Sequence, residues 1–206
     1  EGMMGLNAPE AMDAAQFAKR TQELLEIYPQ EFAYAQLNLL DSHDMPRFLS
    51  LVSEDTQRLY LAYLFVMTYP GAPCIYYGDE IGLTGGTDPM CRKAFPWDQS
   101  LWNTALREKI RELALIRHAM PVLRTGEYLP LLSEGSLLVY ARKDSEDAVI
   151  VAINLDNSAR TFSVRVDGFF ADGTTLQDQI SDRQVVVEEG TIRDLNLPRM
   201  SAVILA

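Results

Sequence analysis

The stretch Asn38–Leu49 reads NLLDSHDMPRFL, and just beyond its apolar start it sets Asp41, His43, Asp44 and Arg47 within a few positions. Two carboxylates, an imidazole and a guanidinium at the end of an apolar strand have three readings: a solvated turn, a metal site, or the rim of a pocket where charge has a chemical task. A second stretch of the same kind, CIYYGDE, places Asp79 and Glu80 after four residues fit for burial. It runs into IGLTGGTDPMCRKAFPWDQS (81–100), a loop that carries Asp88 and Arg92. Loops longer than about 12–15 residues tend to be functional or disordered. Cys91, Phe95 and Trp97 inside this one argue for order.

A metal is not expected. Cys74 and Cys91 stand in no ligand spacing and only His43 and His118 could assist them. The thiols are read as small apolar packing groups, with no disulfide framework. A net charge of −11 repels phosphate backbones and anionic lipid, so neither nucleic acid nor a membrane surface is an expected partner. LYLAYLFVMTYP, the longest apolar run, is too short to span a bilayer and reads as a buried helix. The opening EGMMGLNAPE shows no secretory signal and reads as a start in mid-sequence, so a piece of a longer protein is expected; the compartment is not legible.

The 206 residues allow one large or two small domains, and 48% hydrophobic residues suffice for a sizeable core. Asn7 with Pro9 and Glu10 predicts a helix over 8–28, with Ala14, Phe17, Ala18, Leu24 and Leu25 at helical spacing. FAYAQLNLL (32–40) reads as a strand covered on both faces, as in a parallel sheet. Ser53, Glu54 and Asp55 start a helix through Met67 that YPGAP stops, and CIYY is the next strand. A further helix puts Trp102, Ala105, Leu106, Ile110, Leu113 and Ile116 on one face and ends near Pro121. This alternation is an α/β sheet architecture. After residue 124 the pattern changes to strands without helices: YLPLL, SLLVYAR, AVIVAINL, RTFSVRVD, TTLQDQI, RQVVVEE and SAVILA, an antiparallel sandwich. Within RTFSVRVD, Phe162, Val164 and Val166 point inward and Thr161, Ser163 and Arg165 outward.

In parallel α/β folds function gathers at the carboxyl ends of strands, where both charged stretches begin. SHDMPRF after an apolar strand, followed by PGAPCIYYGDEIGLTGG and CRKAFPWD, resembles the α-amylase superfamily of glycoside hydrolases, most closely its neopullulanase, cyclomaltodextrinase and maltogenic amylase branch. The resemblance covers essentially the whole chain. It implies the C-terminal part of a (β/α)8 barrel followed by an antiparallel β-sandwich: residues 1–124 as the end of unit six with units seven and eight, and 125–206 as the sandwich. Two positions depart from the family's usual pattern, Asp41 standing where Gly is usual and Met45 where Thr is.

The resemblance implies a retaining hydrolase of α-1,4 glucosidic bonds, with α-1,6 bonds as an additional option, in maltooligosaccharides, cyclodextrins or pullulan. Its nucleophile and general acid, about 5–5.5 Å apart, belong to the fourth and fifth barrel strands. These precede the residues present here, so the chain alone is expected to hydrolyse nothing. Asp44 matches the family's third carboxylate, which stabilises the transition state; His43 matches a hydrogen-bond donor to the same sugar. Asp88 and Arg92 match contacts to glucose units further along, and Tyr77 offers a stacking face. Other readings stay open. By type alone Asp44 is as readily the cap of its own turn, and Asp88 and Arg92 form a pair that braces the loop. Arg47, Asp79 and Glu80 are expected to support loops, Phe95, Trp97 and Trp102 to lie in the core, and His118 at the surface. No cofactor is expected, and calcium in the whole protein is not legible in these residues. An α-glucan oligosaccharide is the expected partner, together with self-association or the missing part of the barrel across the open edge. A carbohydrate-binding or purely structural role for the sandwich is the rival reading.

Overall fold

The computed structural model describes residues 12–206. Its first part holds α1 (Ala14–Glu26), α2 (Gln30–Ala33), β1 (Leu37–Asn38), α3 (Phe48–Leu51), α4 (Thr56–Thr68), β2 (Ala72–Pro73), α5 (Thr104–Ala119) and α6 (Val122–Thr125). Eight strands follow: β3 (Glu127–Glu134), β4 (Leu137–Lys143), β5 (Ala148–Asn154), β6 (Arg160–Arg165), β7 (Thr175–Gln177), β8 (Gln184–Glu188), β9 (Thr191–Leu197) and β10 (Ser201–Leu205). They form two four-stranded antiparallel sheets, ordered β10-β5-β4-β3 and β6-β9-β8-β7.

Local chemistry sets the helix starts. Asp13 accepts from the Gln16 N–H at 2.8 Å while the Gln16 side chain accepts from the Asp13 N–H at 3.0 Å, a reciprocal cap. This moves the expected start at residue 8 to Ala14; Asn7 and Pro9 lie outside the described residues. Asp55 caps α4 through the N–H groups of Gln57 and Arg58 at 2.9 and 3.1 Å. Ser53 and Glu54, expected inside that helix, adopt positive φ and turn the chain into it. Asn103 caps α5, leaving Trp102 just outside the helix.

The two parallel strands are shorter than expected. Pro29 opens a helical turn where FAYAQ was read as strand, and only Leu37 and Asn38 pair, with Ala72 and Pro73. CIYY is likewise not a strand: Cys74 still donates its N–H to the Asn38 carbonyl at 2.7 Å, and regular pairing goes no further. Each strand has one neighbour among the described residues, so the ladder is limited by the other's length. Leu37 remains 62% exposed on that open sheet. Gly71 leads into β2 at φ +106, and a Cβ there would meet the Asn38 Nδ2 at 2.5 Å, so no other residue lets β2 approach β1 in this way.

The sandwich packs in three layers. One face of the β10-β5-β4-β3 sheet, with Leu138, Tyr140, Val149, Val151 and Ile204, joins the core made by α1, α4 and α5. Its other face, with Leu137, Val139, Ile150, Ala152, Val203 and Leu205, packs on Val164, Val166, Val187 and Ile192 of the second sheet. That double burial explains the unbroken apolar runs at 137–141 of β4 and 148–153 of β5, whereas β6 alternates as expected. Strand β9 was not among the expected strands. It returns from β8 through Glu189 and Gly190, both at positive φ, the geometry a two-residue hairpin demands.

Two buried arginines join helices to sandwich with no carboxylate partner among the described residues. Arg117 of α5 donates to the carbonyls of Met67, Tyr69, Gly71 and Leu123. Arg142 of β4 donates to those of Thr68, Leu123 and Gly126. Burial, and then the neighbouring Arg142 charge, brings Arg117 down to about 10; at neutral pH it stays charged. Replacing Arg142 with Ala leaves the buried Thr68 carbonyl without this donor, at a cost of about 1–3 kcal/mol, whereas the Leu123 and Gly126 carbonyls keep Arg117 and the Tyr34 hydroxyl. The expected loss of unfolding free energy in urea is therefore about 1–3 kcal/mol, against under about 0.5 kcal/mol for Arg165→Ala on the exposed face. Equal losses for the two variants would show that the carbonyl cage does not hold the joint.

Candidate functional site

Parallel strands send their following segments out on one side. The turn 41–47 leaves β1 and the segment 74–93 leaves β2, and Arg47 binds one to the other. This guanidinium has no exposed surface. Its Nη1 donates to Asp79 Oδ1 and to the Tyr77 carbonyl, both at 2.8 Å, and its cationic carbon lies 4.5 and 4.8 Å from the ring centroids of Tyr76 and Tyr77. The Arg47 N–H donates to the Gly85 carbonyl at 2.8 Å. Arg47 therefore supports the loops, as the sequence led one to expect.

Asp79 is 1% exposed and also accepts from the Tyr63 hydroxyl of α4 at 2.6 Å. Burial pushes its carboxyl up to about 7; the Tyr63 hydrogen bond opposes that rise, the negative charge of Asp41 adds to it, and Arg47 opposes it. Burial and Asp79 together drive the Tyr63 phenol far above its ordinary range. Asp41, also 1% exposed, accepts from the Phe48 N–H at 2.5 Å at the start of α3. Glu80 folds back to accept from the Gly78 N–H at 2.8 Å, a supporting role.

Asp44 and His43 stand outside this buried network. Asp44 Oδ2 lies 3.2 Å from His43 Nε2, with 74% and 63% of the two side chains exposed. The turn is capped by its neighbours instead: Ser42 Oγ accepts from the Asp44 N–H at 3.3 Å, and Asp41 takes the Phe48 N–H. Asp88 and Arg92 do pair, through Nε at 2.8 Å and through Nη2 to the same oxygen. This bond holds the Asp88 carboxyl below its ordinary range. Asp88 first, and Asp44 more weakly, favour the charged form of Arg92. Between them Cys91 is buried and directs its Sγ to the His43 carbonyl at 3.1 Å. Tyr77 donates its hydroxyl to the Lys93 carbonyl at 2.7 Å while 38% of the residue stays exposed.

These contacts gather Asp44, His43, Asp88, Arg92 and Tyr77 on one exposed shelf. It offers acceptors, a guanidinium fork and an aromatic ring, a set suited to vicinal hydroxyls. A concavity of about 610 Å³ lies elsewhere, where Met120, Lys143, Asp144 and Phe169 meet at the end of α5. Trp97 corrects the sequence reading: expected in the core, it is 83% exposed. Phe95 takes the inner position against Trp102, with centroids at 5.7 Å, and leaves Trp97 at its outer edge. His118 is exposed, as expected. Among the described residues no three His, Cys, Asp or Glu side chains gather as ligands for one ion, and no helix is long and apolar enough to cross a membrane. Tyr63 was missed because it sits in an apolar helix with no motif around it; the one available signal is that a buried tyrosine hydroxyl needs a partner.

Residues 5–120 match the family described as alpha amylase, catalytic domain, and residues 126–205 the alpha-amylase C-terminal domain. A cyclomaltodextrinase from Geobacillus thermopakistaniensis (strain MAS1) is 38% identical over 201 residues, covering 97% of this chain and 34% of its own. Neopullulanase 2 of Thermoactinomyces vulgaris is 32% identical over 193 residues, 94% of this chain and 33% of its own. The solved debranching enzyme from Nostoc punctiforme superposes with a TM-score of 0.83 at 37% identity, over 95% of this chain and 40% of that one. The chain spans about a third of the length of the curated relatives just described.

The raised Asp79 carboxyl fixes a sign. The folded state holds that proton up to about 7, the unfolded state only to about 3.8, so the associated stabilisation is complete below the lower value and lost as pH rises through the upper one. Arg47→Met leaves Asp79 buried without its cation, a change that costs about 3–5 kcal/mol when the carboxylate is ionised. The loss in unfolding free energy is expected to be larger at pH 8 than at pH 5, where Asp79 is mostly neutral. A loss independent of pH would contradict this assignment.

Proposed function

The chain belongs to the alpha-amylase family, and from that premise we propose that the whole protein hydrolyses α-glucans, with the shelf as one wall of its sugar cleft. The observation that carries this reading is the contact between Cys91 and the His43 carbonyl, which seats the exposed Asp44–His43 pair beside Asp88 and Arg92. In this reading β1 and β2 take the places of the seventh and eighth barrel strands, residues 1–124 comprise the end of unit six with units seven and eight, and 125–206 form the sandwich domain.

Asp44 is the ionised helper. It grips hydroxyls of the sugar at the scissile bond, and its negative charge keeps a neighbouring general acid protonated, since like charge raises a carboxyl pKa. His43 donates to the same sugar. Asp88 and Arg92 present a fork to glucose units further along, already held in position by their own pair. Tyr77, its hydroxyl occupied by Lys93, offers its ring as a stacking face. The nucleophile and general acid come from the remainder of the whole protein, whose strands also cover the exposed Leu37 and Leu39. Relatives named cyclomaltodextrinase, maltogenic alpha-amylase and neopullulanase support α-1,4 bonds in short or cyclic glucans as the substrate class, with α-1,6 bonds as a further activity.

Two experiments test this. In the whole protein Asp44→Asn is expected to lower kcat by about 10²–10³-fold with the fold intact, the scale found when one preorganised electrostatic partner of a transition state is removed; unchanged kcat would refute the role. The 206-residue chain alone, assayed on maltotriose and β-cyclodextrin, is expected to release no glucose or maltose above the blank. Turnover by that chain would mean the shelf holds a complete reaction centre.

A further inference from the structure

Beneath the shelf, the Arg47–Asp79 pair makes one contact where its chemistry offers two. Guanidinium and carboxylate pair most strongly through two parallel N–H···O bonds. Here a single nitrogen carries the pair: Arg47 Nη1 donates to Asp79 Oδ1 at 2.8 Å and gives its second proton to the Tyr77 carbonyl, also at 2.8 Å. Arg47 Nε and Nη2 are buried and have no acceptor among the described residues. Buried donors left unpaired cost free energy and are rare in folded proteins. The nearest acceptor in kind, Asp79 Oδ2, is taken: the Tyr63 hydroxyl, brought in from the interior of α4, donates to it at 2.6 Å. Tyr63 and Arg47 are 0% exposed and Asp79 1%, so bulk water does not compete for either oxygen.

From this geometry we propose that Tyr63 is a positioning residue. By holding Asp79 Oδ2 it keeps the ion pair one-pronged, which leaves Arg47 Nη1 free to bridge Asp79 and the Tyr77 carbonyl and so fixes Tyr77 on the shelf. Without the hydroxyl, Oδ2 turns to the unpaired Nη2. The pair becomes a fork, Arg47 is drawn toward Asp79, and the Tyr77 carbonyl loses its donor. Tyr77 depends on that guanidinium twice, since its ring centroid also lies 4.8 Å from the Arg47 cationic carbon. The Asp44 turn has anchors of its own, the Arg47 N–H on the Gly85 carbonyl and Cys91 Sγ on the His43 carbonyl, and Asp88 and Arg92 hold each other. Tyr63 therefore acts on Tyr77 and spares the rest of the shelf. That the shelf binds glucan rests on the proposed reading; the arrangement of the ion pair does not.

The test uses the whole protein at pH 8, above the value of about 7 to which burial pushes the Asp79 carboxyl, so that Asp79 is ionised. Tyr63→Phe removes one oxygen and keeps the ring. Its crystal structure is expected to show both Asp79 oxygens on Arg47 and the Tyr77 carbonyl released from Nη1; an unchanged one-pronged pair would overturn the inference. With maltoheptaose, KM is expected to rise about fivefold or more while kcat stays within about twofold, the pattern of binding lost equally from ground and transition states. Tyr60→Phe, which removes a hydroxyl from the same helix where the ring faces Lys109, is expected to leave both constants unchanged. An unaltered KM in Tyr63→Phe, or equal rises in the two variants, would overturn the positioning role. So would a Tyr63→Phe protein that does not fold while Tyr60→Phe does, because the hydroxyl would then serve the fold alone. A wild-type protein with no turnover of maltoheptaose would fault the glucan reading instead, and the crystal structure of Tyr63→Phe would still decide the arrangement of the pair.

Discussion

A guanidinium with no path to water must be neutralised where it lies, and Arg47 meets that demand by drawing in groups from both strand ends. It takes the Asp79 carboxylate and the Tyr77 carbonyl from the segment after β2 while its own backbone belongs to the turn after β1. Only two residue pairs join those strands as a sheet. Such a ladder is too short to fix the directions of the segments that leave it, so the buried ion pair sets them. Asp44 and His43 can be exposed, and so available to a ligand, because Arg47, Asp41 and Cys91 hold the backbone beneath them.

The second joint uses a different solution to the same problem. Arg117 and Arg142 are buried beside each other and have no carboxylate partner among the described residues, so their charge is spread over carbonyls at the end of α4, in Gly71 and around α6. Those carbonyls are the ones a helix terminus leaves without N–H partners. The arginines thus complete the helix end and tie it to β4 in one step. Since Gly71 leads straight into β2, a change at the sandwich joint is felt at the strand that carries the Tyr77 segment.

How much of this was legible in the sequence depends on whether a residue's environment is local. Asp55, Asn103 and the alternation of β6 act within a few positions, and helices and strands followed from them, although Asp55 and Asn103 each set the helix start slightly later than expected. The two charged segments were identified as neighbours because parallel strands bring their carboxyl ends together. FAYAQLNLL and CIYY failed as strands because their apolar pattern answers to burial that β1 and β2 alone do not supply. Strand β9 escaped because Asp194 takes positive φ, so its inward residues fall at Ile192, Leu195 and Leu197, an interval of three and then two. Trp97 was read as core from its type, but one edge of Phe95 is all it covers. The partnership of Tyr63 with Asp79 could not be read at all, since it joins a helix interior to a turn through a hydroxyl that no local pattern marks.

The shelf and the buried cluster beneath it divide the labour between exposure and rigidity. A side chain meant to bind sugar must leave its hydrogen-bonding atoms free, which forbids it from fixing its own position. At Asp44 and His43 that rigidity comes from below, and at Asp88 and Arg92 from their mutual pair, which leaves the outer edges of both groups accessible. A closed polar cluster under an open one is costly unless each buried atom is partnered. Asp41 is where that condition is hardest to meet, because it adds a second acid next to Asp79 where a single cation is available. The segment therefore has its buried charges at its base and its exposed hydrogen-bonding side chains at its surface.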